Sequence, residues 1–289
     1  MIVVVGPPGV GKSALVGAAR PGALCIDAEA ESCIADLAAA VGRALGIEAV
    51  RPEAVGLALA AREQTDLIID QADLLIAEAL PTLQSWVELA PNLRIALTSR
   101  IRPRDGDVLE LAPLTEAQAV TLLRAEAGGL VAEALLPDLA HALDCLPLAL
   151  LFAGRRLRLL PAAALLADPE LAADRDRLAH LAAGSLERLG AGARAVLGRL
   201  SLFEGSVPLS DAVRFVGPGG VEHLQELRDA SLLHSTPDRI RLLTPVRLAA
   251  RRALTPKAAA AARRHHEEHV AALLATPNPP PAVRAELEA

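Results

Sequence analysis

The chain has 289 residues, 52 % of them hydrophobic, enough for about two domains that each bury a core. Aromatic residues amount to 1 %, with no Tyr, so the cores must come from Leu, Val and Ala, and sites that stack bases on aromatic rings are disfavoured. A net charge of −6 lacks the basic footprint of a nucleic-acid binder, and Cys25, Cys33 and Cys145, which form no CxxC pair and no metal spacing, indicate a reduced cytoplasmic setting. The opening MIVVV has no positive charge before it and is too short for a bilayer, so it reads as a first strand, not as a leader or a membrane span. Short runs at 2–5 (IVVV), 23–27 (ALCID), 66–70 (DLIID) and 93–97 (LRIAL) alternate with helical stretches. That alternation predicts a parallel sheet with helices on both faces.

From 113 to 160 the apolar residues recur at helical spacing, broken by Pro137 and Pro147. Residues 161–178, with Pro161 and Pro169, read as a linker or short helices. Next come helical SLERLGAGARAVLGRLSLF, a break at Gly205, two more helical segments and SLLHSTPDRIRLL, whose Thr-Pro-Asp turn predicts a hairpin. Helices followed by one hairpin suggest a winged helix over 179–255. The chain closes with an Ala-rich helix and a Pro-rich TPNPPP stretch over 256–289, and no internal repeat is evident.

GPPGVGKS at 6–13 matches G-x-x-x-x-G-K-[ST] in full, between a predicted strand and a predicted helix. Such a loop curls so that its amide N–H groups face phosphate oxygens, with the positive end of the next helix behind them. The candidate cradle is Gly6, Pro7, Pro8, Gly9, Val10, Gly11, Lys12, Ser13 and Ala14. Lys12 is expected to reach the β- and γ-phosphates and Ser13 to ligate Mg²⁺. Asp70 ends the buried run LIID, where a partner for Mg²⁺ belongs. Gln71 follows it, where many nucleotide hydrolases carry a second carboxylate. Asp73 precedes LLIAEAL and reads as a helix N-cap in preference to a catalytic group. Thr98, Ser99 and Arg100 lie at the end of another strand, on the edge where parallel sheets bind ligands. There Arg100 either senses a γ-phosphate or is a solvated arginine at a strand end.

These motifs in this order resemble the STAND class of signalling ATPases, specifically the NB-ARC-like domains of bacterial regulators. The similarity runs through GPPGVGKS, LIIDQADLL, RIALTSR, LELAPLTEAQAVTLL, ALDCLPLALLFAGRRL and DASLLHSTPDRIRLLTPVRLAARRAL, most of residues 1–255. The resemblance implies an α/β fold: a P-loop NTPase three-layer αβα core with a parallel sheet (1–112), a small helical domain (113–160), a linker (161–178), a winged-helix domain (179–255) and a C-terminal helix and tail (256–289). It implies an ATP/ADP switch that hydrolyses slowly, with Lys12, Asp70, Gln71 and Arg100 as the catalytic set and Ser13 and Asp70 holding Mg²⁺. Pro147 in CLPL is similar to the proline that packs on adenine, and Cys145 stands where that motif usually has Gly.

Other departures shape the expectation. Many relatives end the hairpin with Met-His-Asp, whose His touches the β-phosphate, whereas this chain has Leu242, Leu243 and Thr244. The family's adenine-binding segment before the first strand and its repeat-containing sensor after the tail helix have no counterpart here. The expectation is therefore an excised core, or a minimal form dependent on a protein partner or on nucleotide-dependent self-assembly. Gln71 is compatible with slow turnover, because phosphoryl transfer depends more on positioning than on proton removal.

Three rivals are weighed against this reading. Arg247, Arg251, Arg252, Arg263 and Arg264 form a candidate DNA-contacting stripe, with a solvated helix face favoured over it. His265 and His269 share a helix face at i, i+4, but His266 takes the place of the Glu of H-E-x-x-H, and a polar helix face is favoured over a metal site. A scaffold that binds ATP or ADP without turnover keeps the fold and removes the enzyme. A metabolic P-loop kinase ranks lower, since no acceptor lid is evident.

Overall fold

Apolar runs build one parallel sheet from β1 (Ile2–Val5), β2 (Leu24–Asp27), β3 (Thr65–Asp70), β4 (Leu93–Ser99) and β5 (Val108–Glu110), in the spatial order β2-β3-β4-β1-β5. This computed structural model describes residues 1–29, 31, 33–47, 51–62, 65–128, 133–167, 175–203 and 205–274, and the TPNPPP stretch lies outside them. Every pairing in the sheet is parallel. Side chains alternate between its faces. Val3, Val5, Leu67, Ile69, Ile95 and Leu97 pack with the helices α2 (Ile34–Leu45), α3 (Pro52–Ala60) and α4 (Ile76–Leu89), while Val4, Ile68 and Ala96 meet Val16 of α1 (Lys12–Ala19). Burial on both faces explains why the inner strands β1, β3 and β4 read as largely apolar runs, while edge strand β2 leaves Cys25 and Asp27 exposed. The sequence reading does not anticipate β5, whose three residues at the sheet edge leave Leu109 exposed and carry no usable period.

Trp86, the single tryptophan, is fully buried on α4, and its Nε1–H donates to the Pro52 carbonyl at 2.8 Å. Its ring lies so close to Gly56 of α3 that a Cβ there would sit 2.9 Å from Cδ1. A Trp86→Ala variant should lose about 3–5 kcal/mol of stability, from the transfer term plus the cavity. Urea unfolding followed by circular dichroism reads that loss; a change below about 1 kcal/mol would show that the α3–α4 contact is not a stabilising core.

Helices α5 (Glu116–Ala127), α6 (Leu136–Ala142), α7 (Pro147–Arg156) and α8 (Ala162–Ala167) follow. Thr115 caps α5 in a reciprocal box: its hydroxyl accepts from Gln118 N–H, and Gln118 Oε1 accepts from Thr115 N–H at 3.0 Å. Pro137 and Pro147, read as breaks, each occupy the first turn of a helix, where the missing N–H costs nothing. The chain divides into two compact units, Met1–Ala172 and Ala173–Ala289, so these helices belong to the same unit as the sheet.

The second unit contains α9 (Arg175–Glu187), α10 (Ala191–Leu200), β6 (Val207–Pro208), α11 (Leu209–Val216), α12 (Gly220–Asp229), β7 (His234–Ser235), β8 (Arg239–Arg241), α13 (Thr244–Ala253) and α14 (Pro256–Leu274). The stretch SLERLGAGARAVLGRLSLF spans two helices, because Gly190 is the N-cap of α10 and its N–H donates to Glu226 Oε1 at 3.0 Å. The turn Thr236-Pro237-Asp238 closes an antiparallel hairpin of β7 and β8, and β6 adds to the far side of β8. β6 is two residues long and leaves no pattern in the sequence. Leu242 and Leu243 are buried, and Thr244 opens α13.

The histidines of α14 do not form the polar face expected of them. His265 Nε2 lies 2.7 Å from the Phe215 carbonyl, and the rings of His266 and His269 meet Phe203 and Phe215 edge-on at 4.6 and 5.0 Å. Burial pushes the His269 pKa down. The arginine stripe is likewise divided. Arg251 Nε donates to the Ser201 carbonyl at 2.7 Å and Arg247 to Thr244 Oγ1 at 3.3 Å, while Arg252, Arg263 and Arg264 are exposed. Among the described residues no helix is long and apolar enough to cross a membrane.

Candidate functional site

The loop after β1 is shaped by its glycines. At Gly6 a Cβ would lie 2.6 Å from the Leu111 carbonyl oxygen, so no other residue fits. Gly9 (φ 78°) and Gly11 (φ 99°) adopt left-handed backbone, and Gly11 is the N-cap of α1. Pro7 is half-buried, while Pro8 and Val10 are buried and anchor the loop from below. The amides of Lys12, Ser13 and Ala14 open α1, where helix geometry leaves N–H groups without an intrahelical partner. Together with the helix dipole they make an anion-binding end.

Lys12 Nζ donates to the carbonyls of Gly6 at 2.8 Å and Pro7 at 3.1 Å, which holds the ammonium across the mouth of the loop. Burial, and next the charge of Arg100, push the Lys12 pKa down to about 8 against the opposing pull of Asp73 and Asp70.

Strand order determines what faces Lys12. Because β4 lies between β1 and β3, its C-terminal end sits between the loop and Asp70. Ser13 Oγ donates to Asp70 Oδ1 at 2.8 Å, and Thr98 Oγ1 donates to the same oxygen. The Gln71 N–H donates to Thr98 Oγ1 at 2.9 Å, which completes a chain from Gln71 through Thr98 to Asp70 and Ser13. Gln71 itself has φ 58°, a left-handed conformation uncommon for a side-chain-bearing residue. Its Nε2 donates to Asp27 Oδ1 at 3.2 Å. With its proton given to Asp70, Ser13 Oγ keeps lone pairs for a hard cation, and an all-oxygen set at this place suits Mg²⁺.

Asp73 is not the N-cap expected of it. A short 3₁₀ turn (Ala72–Leu74) precedes α4, and Leu75 caps the helix without a side-chain bond. The buried Asp73 carboxylate turns to the end of β4, where it accepts the Arg100 N–H at 2.6 Å and the Ser99 hydroxyl at 3.1 Å and pairs with Arg100 Nε at 3.3 Å. The Arg100 side chain is only 17 % exposed, so it is not a solvated strand-end arginine.

Pro147 arrives from α7. Leu148 N–H donates to the Gly9 carbonyl at 3.2 Å, and the Pro147 ring lies 3.9 Å from where a Cβ on Gly11 would be. The turn before it holds Asp144 (φ 55°) and Cys145 (φ 51°) in left-handed backbone. Cys145 thus adopts the conformation a glycine would supply at that place. Lys12, Ser13, Asp70, Gln71, Arg100 and Pro147 are all drawn around one loop. The sequence reading misses Thr98 as the hub of the network and Asp27 as the partner of Gln71. The signal for Asp27 is an apolar run ending in an acid, as at Asp70.

No protein-family model and no curated protein matches the chain. Solved structures do. It is similar to a Walker-type ATPase of Pyrococcus abyssi, at 15 % identity over 87 % of this chain and 91 % of that one, with a TM-score of 0.57. Weaker overlays are with a STAND protein carrying a tetratricopeptide repeat sensor from Pyrococcus horikoshii (17 % identity, 96 % of this chain and 43 % of that one, TM-score 0.42) and with Drosophila ORC bound to DNA (15 %, 92 % and 89 %, TM-score 0.45). The chain therefore spans less than half the length of the STAND protein it matches. At 15 % identity the likeness to the Walker-type ATPase speaks to fold alone, and the parallel five-stranded sheet with its flanking helices fits a P-loop NTPase α/β core.

Proposed function

We propose that this chain is an ATP/ADP-binding molecular switch of the STAND type, NB-ARC-like in its organisation, which binds Mg·ATP at the loop of residues 6–14 and hydrolyses it slowly. The observation that carries this reading is the convergence on that loop of Lys12, of the Ser13–Asp70 hydrogen bond at 2.8 Å and of Arg100. The loop amides and Lys12 take the β- and γ-phosphates. Ser13 and Asp70 hold Mg²⁺, which when bound neutralises charge on the phosphate oxygens. Arg100, released from or shared with Asp73, faces the γ-phosphate. Pro147 closes the nucleotide end of the loop against adenine. The second unit acts as a winged helix in this scheme, within the domain division 1–112, 113–160, 179–255.

Slow turnover fits the residues. A loose phosphoryl-transfer transition state needs charge and orientation more than a strong base, and a glutamine can orient the water. The absence of an acid at position 71 favours one alternative, a nucleotide-dependent scaffold that binds without turnover. Acid-quenched single turnover, with the protein in excess over Mg·ATP, separates them. Conversion to ADP within minutes to hours is expected; ATP that stays bound and unconverted would leave the scaffold as the reading.

A further inference from the structure

The structure places a carboxylate beside Gln71 that comes from a different strand. Asp27 ends β2, Asp70 ends β3, and the two are direct partners in the parallel register. Gln71 is then clamped from both sides: its backbone N–H goes to Thr98 on β4, and its side-chain Nε2 goes to Asp27 Oδ1 on β2 at 3.2 Å. Asp27 is itself held by the turn that follows, where its Oδ1 also accepts the Glu29 N–H at 3.1 Å. The left-handed backbone at Gln71 lets one residue reach both neighbours.

We propose that Asp27 is a positioning residue for hydrolysis, which sets the amide of Gln71 so that Oε1 faces the attacking water. The inference rests on the nucleotide-hydrolase reading given above. Its basis is hydrogen-bond chemistry. An ionised carboxylate only accepts, whereas a glutamine amide presents one accepting and one donating end. Asp27 therefore selects the donating Nε2 end and leaves Oε1 turned away, available to a water proton. In the step itself the water oxygen bonds to the γ-phosphorus as the bond to the β–γ bridging oxygen breaks. The electron pair leaves with ADP, and the water proton ends on the phosphate product. Gln71 orients the water and Asp27 orients Gln71.

The test is a double-mutant cycle in the full chain, combining Asp27→Asn and Gln71→Ala, read by acid-quenched single turnover and by calorimetric Mg·ATP binding. Asparagine offers either a donor or an acceptor to Gln71, so the amide loses its preferred sense. Asp27→Asn is expected to bind Mg·ATP within about twofold of the parent and to convert it about tenfold more slowly. Gln71→Ala should slow conversion by a similar factor or more, and the double variant should be no slower than Gln71→Ala alone. Asp27→Asn converting at the parental rate, or slowing the Gln71→Ala protein by the same factor as the parent, would overturn the role of Asp27 alone. A parent that binds Mg·ATP and never converts it would overturn the hydrolysis reading together with this role. A parent that binds no nucleotide would overturn the cradle.

Discussion

Replacing Lys12 with alanine is expected to weaken Mg·ATP binding by about 30- to 1,000-fold, the equivalent of about 2–4 kcal/mol for the charge-assisted bonds it would make to phosphate. The pH dependence makes this prediction specific. In the free protein burial and Arg100 hold the Lys12 pKa down to about 8. Phosphate oxygens restore the preference for the charged form, so the bound pKa lies above the free one, and between the two values the complex holds a proton that the free protein lacks. Affinity should therefore fall as pH rises past about 8, and binding at pH 8.5 should take up a proton, measured by calorimetry in two buffers of different ionisation enthalpy. Lys12→Ala should show no such uptake. For folding without ligand the sign is reversed in its consequence: the unfolded chain keeps the Lys12 proton up to its ordinary value of 10.5, so the folded state gains stability as pH climbs from about 8 towards 10.5. A variant that binds as tightly as the parent would remove Lys12 from the cradle.

The second large effect is expected at Asp70. Its Oδ1 takes protons from both Ser13 and Thr98, so an Asp70→Asn variant can still accept those bonds and fold while losing the negative charge. Mg²⁺ affinity in the ternary complex should fall by about 10- to 100-fold, with single-turnover conversion reduced by at least as much at limiting Mg²⁺. ATP binding measured with EDTA present should change little, because the loop amides and Lys12 do that work. Titrating Mg²⁺ against conversion rate separates the two. An unchanged Mg²⁺ midpoint would mean that Asp70 organises the strand ends without serving the cation.

Lys12 and Asp70 both stand out as candidate site residues in the amino-acid sequence alone. GPPGVGKS between strand and helix specifies its own local geometry, since Gly9 and Gly11 are required by left-handed backbone and Gly6 by the Leu111 carbonyl. β1, β3 and β4 are visible as apolar runs because a doubly covered parallel strand is apolar on both faces, whereas edge strand β2 shows only as a short run ending in an acid. β5 and β6 are not, because edge strands of three and two residues have no periodicity of their own and exist only through a partner. Asp73 shows the limit from the other side. Its place before an apolar helical run is the ordinary signature of an N-cap, yet the chain inserts a 3₁₀ turn and commits the carboxylate to Arg100.

By itself, then, the sequence determined the phosphate-loop motif, the alternation of strand and helix, the Asp70 that ends β3 and the hairpin around Thr236-Pro237-Asp238, each a local pattern of spacing and turn chemistry. Only the tertiary structure decided the strand order β2-β3-β4-β1-β5. That order sets the end of β4 beside β3, so that Thr98 links Asp70 to the Gln71 N–H, and sets β2 on the outer side, bringing Asp27 to Gln71 across 44 residues of chain. The physical reason is that parallel strands are joined by crossovers, so neighbours in the sheet are distant in sequence, and hydrogen bonds between their ends leave no local trace.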